Sequence, residues 1–355
     1  MRAALLAGLT ATTLVLSTGP ALATPYEWHE TPTGLKGFIS YAMDPGGTSL
    51  WTVGALDDGR NFTPAATVWD GKAWKATPQP VTLGRFLDID AVGPGDAWAV
   101  GSQQTPDDPT FQSKLLAQHW NGKAWQVIAS PTFHDGNSRE FTSVAALGKQ
   151  VWALGYDSGS ESQAATAFVY RYDGKRWTAL NDGVIGNSGY PYDLEVLSAN
   201  NLWVADFNGI KHYDGTRWTL AKLPGQDANL HLTDVEANSP KDIWAVGHRE
   251  DPEFRRRPVA FHFDGRNWTQ VATPAEGAEL NTLNLVNGQP VAVGETRAFG
   301  PYILKLTKSG FERQADPAGA AGLWGSTVLA GKLWVSGAGD GSGSSDSYVG
   351  FTRAN

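Results

Sequence analysis

Seven residues carry side chains suited to binding a polar, ring-shaped ligand. They are Arg85, Arg139, Tyr192, His231, His248, Arg249 and Trp324. A planar arginine fork binds carboxylate and hydroxyl oxygens in pairs, and an aromatic face stacks on a sugar ring. Trp324 is the one tryptophan that lies outside the repeated motifs of the chain. The set predicts a carbohydrate-binding site, with two alternatives open: Trp324 only fills space, or the charged segment 248–258 is only a solvated loop.

The sequence offers fewer candidates for catalytic residues than for binding residues. Glu140 and Glu279 are candidates for the paired carboxylates of glycoside hydrolysis, which depends on the distance between the two groups. The chain has no Gly-x-Ser-x-Gly, Gly-Lys-Ser/Thr, His-Glu-x-x-His or calcium-loop motif. It has no cysteine, which excludes disulfides, thiolate metal sites and cysteine nucleophiles. We therefore assign no catalytic residue, metal or cofactor and favour binding over catalysis.

Composition narrows the class of partner. The chain has 36 acidic and 28 basic residues, a net charge of −8 with histidine neutral. Nucleic-acid binding depends on clustered Lys and Arg, so we expect no nucleic-acid partner. Glycine, proline and tryptophan are abundant (41, 20 and 15 residues), and charged residues are sparse, so few helices are expected.

The first residues have the pattern of an export signal. Arg2 precedes an uncharged apolar run from Ala3 to Leu16, Pro20 ends the run, and small residues at Ala21 and Ala23 suit a signal peptidase. We expect residues 1–23 to be a cleaved signal peptide and the mature protein, 24–355, to be secreted. No later segment is apolar for long enough to cross a bilayer, so no membrane association is expected.

Two motifs recur along the chain. Trp-x-x-Gly occurs at residues 51–54, 98–101, 152–155 and 244–247, with weaker copies at 203–205, 291–294 and 334–337. The second motif is an aromatic residue, Asp or Asn, Gly, two further residues and Trp, found at 69–74, 120–125, 172–177, 213–218 and 263–268. Asx-Gly between alternating apolar segments is a strong β-hairpin signal. Together the motifs define seven repeating units.

Each unit fits four short antiparallel strands, which predicts an all-β, seven-bladed β-propeller as the single mature domain. The seventh unit has its anchor at Trp334 and a third strand around 348–351, but the chain stops at Asn355 before a fourth strand. The segment from Trp28 to Pro32 matches a fourth strand and has no unit of its own. We therefore expect the two ends to pair and close the ring.

The stretches Asp-Ala-Trp-Ala-Val-Gly (96–101) and His-Trp-Asn-Gly-Lys-Ala-Trp (119–125) resemble the tandem repeats of secreted bacterial β-propeller proteins. Kelch-like and tectonin-like propellers are more distant in pattern. The resemblance covers nearly the whole mature chain and implies the fold, but propellers host both binding and catalysis. The Asp-Gly-x-x-Trp turn also looks like the Asp-box of sialidases, but it is one residue short and lacks the serine before the aspartate, so no sialidase residue is carried over.

In a propeller the first strands surround a central channel, and their starts share one face with the loops between second and third strands. The longest of these loops are 55–64, 102–114, 156–164 and 248–258. The seven candidate binding residues should lie on this face, most of them around the channel mouth. The sequence therefore favours a secreted, non-enzymatic protein that binds a glycan or cell-surface polymer, or another secreted protein. The alternatives are an extracellular glycosidase or polysaccharide lyase, and a protein-interaction scaffold.

Two further sets of residues align across the repeats. Asp88, Asp193 and Asp234 fall in first strands, where they would line the channel or form hydrogen bonds between strands. His119, His212 and His262 precede the Asx-Gly turn, where a structural role is predicted.

Overall fold

The computed structural model describes residues 26–104, 112–133, 136–159, 164–339 and 347–352. The predicted signal peptide, 1–23, lies outside these residues, as do parts of two of the predicted long loops, 105–111 and 160–163.

The described chain forms seven four-stranded antiparallel sheets, the blades of a propeller, as the repeats predicted. Strands are numbered in chain order from β1 (Trp28–Glu30). The first blade contains β2 (Phe38–Gly46), β3 (Ser49–Asp57), β4 (Phe62–Trp69) and β5 (Trp74–Thr77). The second contains β6 (Gly84–Gly93), β7 (Asp96–Gln104), β8 (Ser113–Trp120) and β9 (Trp125–Val127). The third contains β10 (Arg139–Leu147), β11 (Gln150–Asp157), β12 (Thr166–Tyr172) and β13 (Trp177–Ala179).

The remaining blades repeat this order. The fourth, preceded by a short 3₁₀ helix (Gly186–Ser188), contains β14 (Pro191–Ser198), β15 (Asn201–Asp206), β16 (Gly209–Tyr213) and β17 (Trp218–Leu220). The fifth contains β18 (Leu230–Ser239), β19 (Asp242–Glu250), β20 (Arg256–Phe263) and β21 (Trp268–Val271). The sixth contains β22 (Ala278–Val286), β23 (Gln289–Thr296), β24 (Pro301–Thr307) and β25 (Gly310–Arg313). The seventh contains β26 (Ala320–Leu329), β27 (Lys332–Gly339), β28 (Ser347–Thr352) and β1.

The two ends of the chain pair in the seventh blade, which confirms the predicted closure. β1 runs antiparallel to β28, with Trp28 opposite Thr352 and Glu30 opposite Gly350. The Thr31 amide extends the pairing by donating to the Val349 carbonyl at 2.7 Å. The pairing covers the edge of β28 that would otherwise be open to another chain.

Each interface between neighbouring blades has its own hydrophobic cluster. At the closure interface Met43 and Leu50 of the first blade pack against Trp334 and Val349 of the seventh. The second-strand tryptophans contribute to these clusters and are buried, except Trp98, which is half-buried. The core is therefore seven similar contacts around a ring, and no blade is covered on both faces without its neighbours.

The aligned histidines are part of this framework. His119, His212 and His262 stack on the second-strand tryptophan of their own blade at ring distances of 4.4, 4.1 and 4.3 Å. Each also contacts an Asp or Asn side-chain oxygen at 2.7–2.8 Å. Three equivalent copies of one contact fit the structural role that the repeat predicted.

Every first strand contains a β-bulge at the same place. The residues left without a partner in the second strand are Tyr41, Leu87, Thr142, Tyr192, Thr233, Asn281 and Trp324. All of them line the central channel. Because a bulge turns an extra side chain out of the regular alternation, it gives each blade one further position that faces the channel.

The bulge also explains the glycine of the Trp-x-x-Gly motif. Gly101 pairs with Phe86, the residue just before the bulge. A Cβ atom on Gly101 would lie 2.1 Å from the Arg85 carbonyl oxygen, and one on Gly247 would lie 2.1 Å from that of His231. Only glycine allows the two strands to approach this closely.

We expect Gly101→Ala to lower the free energy of unfolding by about 3 kcal/mol, because the methyl group clashes with rigid backbone. Gly93→Ala is the matched control, since a Cβ there meets no atom within 4 Å. Chemical denaturation of both variants measures the difference. Equal stability of the two would contradict the close strand approach.

Candidate functional site

The first strands enclose a channel of about 980 Å³. We call the end where the first strands begin the mouth, and the end that carries the Asx-Gly turns the turn end. Lysine, arginine and histidine are absent from the described lining of the channel, which contains aromatic residues near the mouth and carboxyl groups deeper inside. A ligand that enters from the mouth therefore meets aromatic rings first.

Six aromatic side chains form a collar at the mouth. The collar comprises Tyr41, Tyr156, Tyr190, Tyr192, Phe207 and Trp324. Its rings form two contacting groups. Tyr41 and Trp324 have centroids 6.1 Å apart. In the other group the centroids are 4.8 Å apart for Tyr156 and Tyr190, 6.1 Å for Tyr190 and Phe207, and 5.3 Å for Tyr192 and Phe207. Tyr190 and Tyr192 are 45% and 37% exposed, so part of the collar is open to solvent.

A rearranged hairpin in the fourth blade supplies Phe207. Asp206 occupies the position that glycine holds in the other blades, and its buried carboxylate forms an ion pair with Lys211. Asp206 also accepts a hydrogen bond from the Asn208 amide at 2.6 Å. These contacts hold a tight turn whose tip, Phe207, points into the collar.

One polar cluster supports the collar between the second and third blades. Arg85 Nη2 binds both carboxylate oxygens of Glu140, at 2.9 and 3.0 Å. Glu140 also accepts hydrogen bonds from Ser102 at 2.9 Å and from the collar residue Tyr156 at 3.3 Å. Since the Glu140 carboxylate has four contacts, its geometry is fixed before any ligand arrives.

A second polar cluster lies across the mouth, around two glutamates that are direct cross-strand partners, Glu279 and Glu295. Arg256 Nη1 lies 2.6 Å from each carboxylate oxygen of Glu279. Trp324 Nε1 donates to Glu295 Oε2 at 3.2 Å. Gly322 makes this possible, because a Cβ there would lie 1.9 Å from Glu295 Oε2.

Burial, followed by the hydrogen bond and the charge of Glu279, raises the pKa of Glu295 to about 7. Glu295 therefore keeps its proton in a large fraction of molecules near neutral pH. The neighbouring His248 ring is buried, and its Nδ1 lies 3.4 Å from Glu279 Oε2. Burial, Arg256 and His231 lower the pKa of His248 to about 3, so this imidazole is neutral.

His231 connects the second polar cluster to the aromatic collar. Its ring lies 5.1 Å from that of His248 and 4.6 Å from that of Phe207. Burial lowers the pKa of His231, so it too is neutral at pH 7. Contacts thus run around the mouth through the second to seventh blades and return to the first through Tyr41.

The structure brings five of the seven sequence-predicted residues to the mouth or its supporting clusters: Arg85, Tyr192, His231, His248 and Trp324. Arg139 is 5% exposed, stacks on Phe133 at 3.8 Å and pairs with Asp157. Arg249 binds Asp227 at 2.5 Å and the Gly225 carbonyl at 2.8 Å. The structure does not bring these two arginines into the clusters, and their part in binding stays a prediction.

Sequence reasoning missed Tyr41, Tyr156, Tyr190, Phe207 and Glu295. Tyr41 had a signal, because it occupies the same bulge position as Tyr192 and Trp324 once the first strands are aligned. Glu295 had none, since its partnership with Trp324 joins two blades. The predicted carboxylates Glu140 and Glu279 both support the mouth, and each is held by an arginine.

The aligned aspartates of the first strands both line the channel and bond between blades. Asp88 accepts a hydrogen bond from the Val144 amide at 2.7 Å, and Asp193 accepts one from the Val235 amide at 3.1 Å. Asp234 accepts one from the Leu283 amide. Each of these carboxyl groups therefore joins its blade to the next, which unites the two roles that the sequence left open.

Other carboxyl groups crowd the same channel. Burial raises the pKa of Asp88 to about 8, of Asp90 to about 6 and of Glu236 to about 7, and burial followed by the charge of Glu236 raises the pKa of Glu195 to about 9. Burial also raises the pKa of Asp44 and Asp234.

Within the described residues no three His, Asp or Glu side chains are arranged to hold a metal ion. None of the described helices is long and apolar enough to span a membrane.

No protein-family model and no curated protein matches the chain. Solved structures share its fold. One is an extracellular domain from B. thetaiotaomicron described as part of a one component system, with a TM-score of 0.61, 12% identity and 92% of this chain covered. Another is the WD40 β-propeller domain of Doa1, with a TM-score of 0.59, 12% identity, and 92% of this chain and 98% of that domain covered.

At this identity the likeness shows the fold alone. The chain spans 40% of the length of the B. thetaiotaomicron domain. The function must therefore be inferred from the mouth itself.

The channel carboxyl groups predict that stability falls as the pH rises. Their pKa values are higher in the folded than in the unfolded chain, where carboxyl groups titrate near about 4. From about pH 4 up to about pH 9, the pKa of Glu195 in the folded chain, the folded chain keeps protons that the unfolded chain has released. Ionisation of these groups therefore destabilises the fold progressively as the pH rises. We expect a higher Tm at about pH 5 than at about pH 9. Glu195→Gln should reduce this difference, and the exposed Glu253→Gln should not; a Tm that rises over this range would contradict the buried carboxyl cluster.

Proposed function

We propose that this is a secreted, non-enzymatic protein that binds a glycan or cell-surface polymer at the mouth of its channel. The carrying observation is the collar of six aromatic side chains at one end of an open channel. Aromatic faces stack on the C–H faces of pyranose rings, and the adjacent Arg85 and Glu295 groups are suited to hydroxyl groups. Fixed rings and pre-formed hydrogen bonds lower the entropy that a bound sugar chain costs the protein.

Secretion rests on the signal-peptide pattern of residues 1–23 and on the resemblance of the repeats to those of secreted bacterial propellers. A structural neighbour that is an extracellular domain supports the same assignment. Since the chain has no cysteine, a secreted form has no disulfides and gains its stability from the seven interfaces between blades.

The Glu279 and Glu295 pair favours a second candidate, a glycosidase or polysaccharide lyase. A carboxyl group with a pKa of about 7 is suited to general acid–base chemistry. The carboxyl groups of glycoside hydrolases, however, stand about 5–10 Å apart to admit the sugar or a water. Glu279 and Glu295 are direct cross-strand neighbours, and Arg256 binds Glu279, so the arrangement supports binding better than hydrolysis.

Trp324→Ala should weaken glycan binding by about tenfold, because it removes a stacking face and frees Glu295 to move. Tyr192→Ala should weaken it by a similar factor. A glycan array identifies the ligand, and isothermal titration calorimetry measures the affinity of each variant.

Phe299→Ala is the control, since Phe299 is 69% exposed and does not line the channel. Equal losses in all three variants would place binding outside the collar. Release of reducing sugar or of an unsaturated product from the bound glycan would support the enzyme. If no glycan on the array binds and the protein instead captures a secreted protein, the result would support the alternative function of a protein-interaction scaffold.

A further inference from the structure

A repeated hydrogen bond joins the outer strands of neighbouring blades. In five of the six fourth strands that begin with tryptophan, the indole N–H donates to the end of the preceding blade. The pairs are Trp28 with Ala315 O at 2.9 Å, Trp74 with Thr31 O at 3.0 Å, Trp125 with Thr77 Oγ1 at 2.8 Å, Trp177 with Ala129 O at 3.1 Å, and Trp218 with Leu180 O at 2.6 Å. This is a regular structural bond of the repeat.

Trp268, the sixth of these tryptophans, breaks the rule. Its indole N–H forms no hydrogen bond with the described residues, although the residue is only 7% exposed. By the repeat, the acceptor should lie near Ala221, at the end of the fourth blade. Instead Trp268 and Ala221 line a groove of about 510 Å³ between the fourth and fifth blades, at the turn end.

The Trp268 N–H is not among the fully buried donors without a partner, which include the indole N–H groups of Trp51, Trp152 and Trp334; it opens on the groove instead. The five intact copies show that the chain has a simple way to satisfy this donor. Its exposure to the groove leaves one N–H available to an acceptor atom of a ligand.

The rest of the groove defines the chemistry of such a ligand. Trp203, Phe263 and Trp268 give it aromatic walls, and Thr219, Asn267 and His212 add polar groups. The exposed Lys222 and Arg266 also line it and form no ion pair within the described residues. No aspartate or glutamate is among the described lining residues, in a chain with a net charge of −8. An anionic, ring-shaped ligand with many oxygens fits these features.

We propose that this groove binds a carboxylate-bearing sugar of the uronic acid class. An oxygen of the sugar accepts the Trp268 N–H, its ring packs against the aromatic walls, and its carboxylate lies against Lys222 and Arg266. Cations at the rim favour an acidic over a neutral sugar by direct charge attraction. The site is separate from the channel mouth and does not depend on ligand binding there.

The test is calorimetric titration of the full mature chain with glucuronate, with glucose for comparison. We expect saturable binding of glucuronate in the millimolar range and weaker binding of glucose. Trp268→Phe removes the N–H and keeps an aromatic ring, so it should weaken glucuronate binding by about tenfold. The double variant Lys222→Gln, Arg266→Gln should abolish the preference for glucuronate over glucose.

Trp177→Phe is the matched control, because it removes an equivalent N–H that is bonded to Ala129. It should lower the Tm more than Trp268→Phe does and leave glucuronate affinity unchanged. Trp324→Ala should also leave that affinity unchanged, which separates this groove from the mouth. Failure of glucuronate to bind, or unchanged affinity in Trp268→Phe, would overturn the proposal even if the mouth binds a glycan.

Discussion

The pairing of β1 with β28 is the constraint on which the rest of the structure depends. Each blade is a twisted four-stranded sheet with apolar residues on both faces, and such a sheet is stable only when both faces are covered. Six interfaces form between consecutive blades, but the seventh requires the first blade to meet the last. By placing Trp28–Glu30 beside Gly350–Thr352, the chain turns an open stack into a ring. The channel and its mouth exist only in the closed ring.

The centre of that ring holds two opposing effects. Carboxyl groups of the first strands accept amide hydrogen bonds from the next blade, as Asp88 does from Val144, and these bonds fix the blades relative to one another. The same groups are crowded together away from bulk water, where their negative charges repel. Burial therefore raises their pKa values, and several keep a proton at neutral pH. The channel is less negative than its composition indicates, which lowers the cost of admitting a polyhydroxylated ligand.

Both proposed sites occur where the repeat changes. At the mouth the same bulge position carries Tyr41, Tyr192 and Trp324 in place of smaller or aliphatic residues, and Asp206 with Lys211 replaces the usual glycine to position Phe207. On the turn end a hydrogen bond formed in five other places is missing at Trp268. A repeat protein needs each unit to satisfy the same packing, so a unit that departs from the pattern without losing the fold is a candidate for function.

The sequence by itself determined the number of blades, the strand order and the closure, because these follow from local patterns: alternating apolar residues, Asx-Gly turns and a fourth strand displaced to the other end of the chain. It also placed Tyr192 and Trp324 at the channel mouth, Trp324 because it is the one tryptophan outside the repeated motifs. It could not determine that Glu295 meets both Glu279 and Trp324, that Arg139 is held by Asp157, or that the Trp268 indole has no acceptor. The contact of Glu295 with Trp324 and the missing acceptor of Trp268 depend on how neighbouring blades are rotated against one another, which all seven interfaces set jointly once the ring has closed. The other two pairs lie within one blade and depend on the exact register of its first two strands.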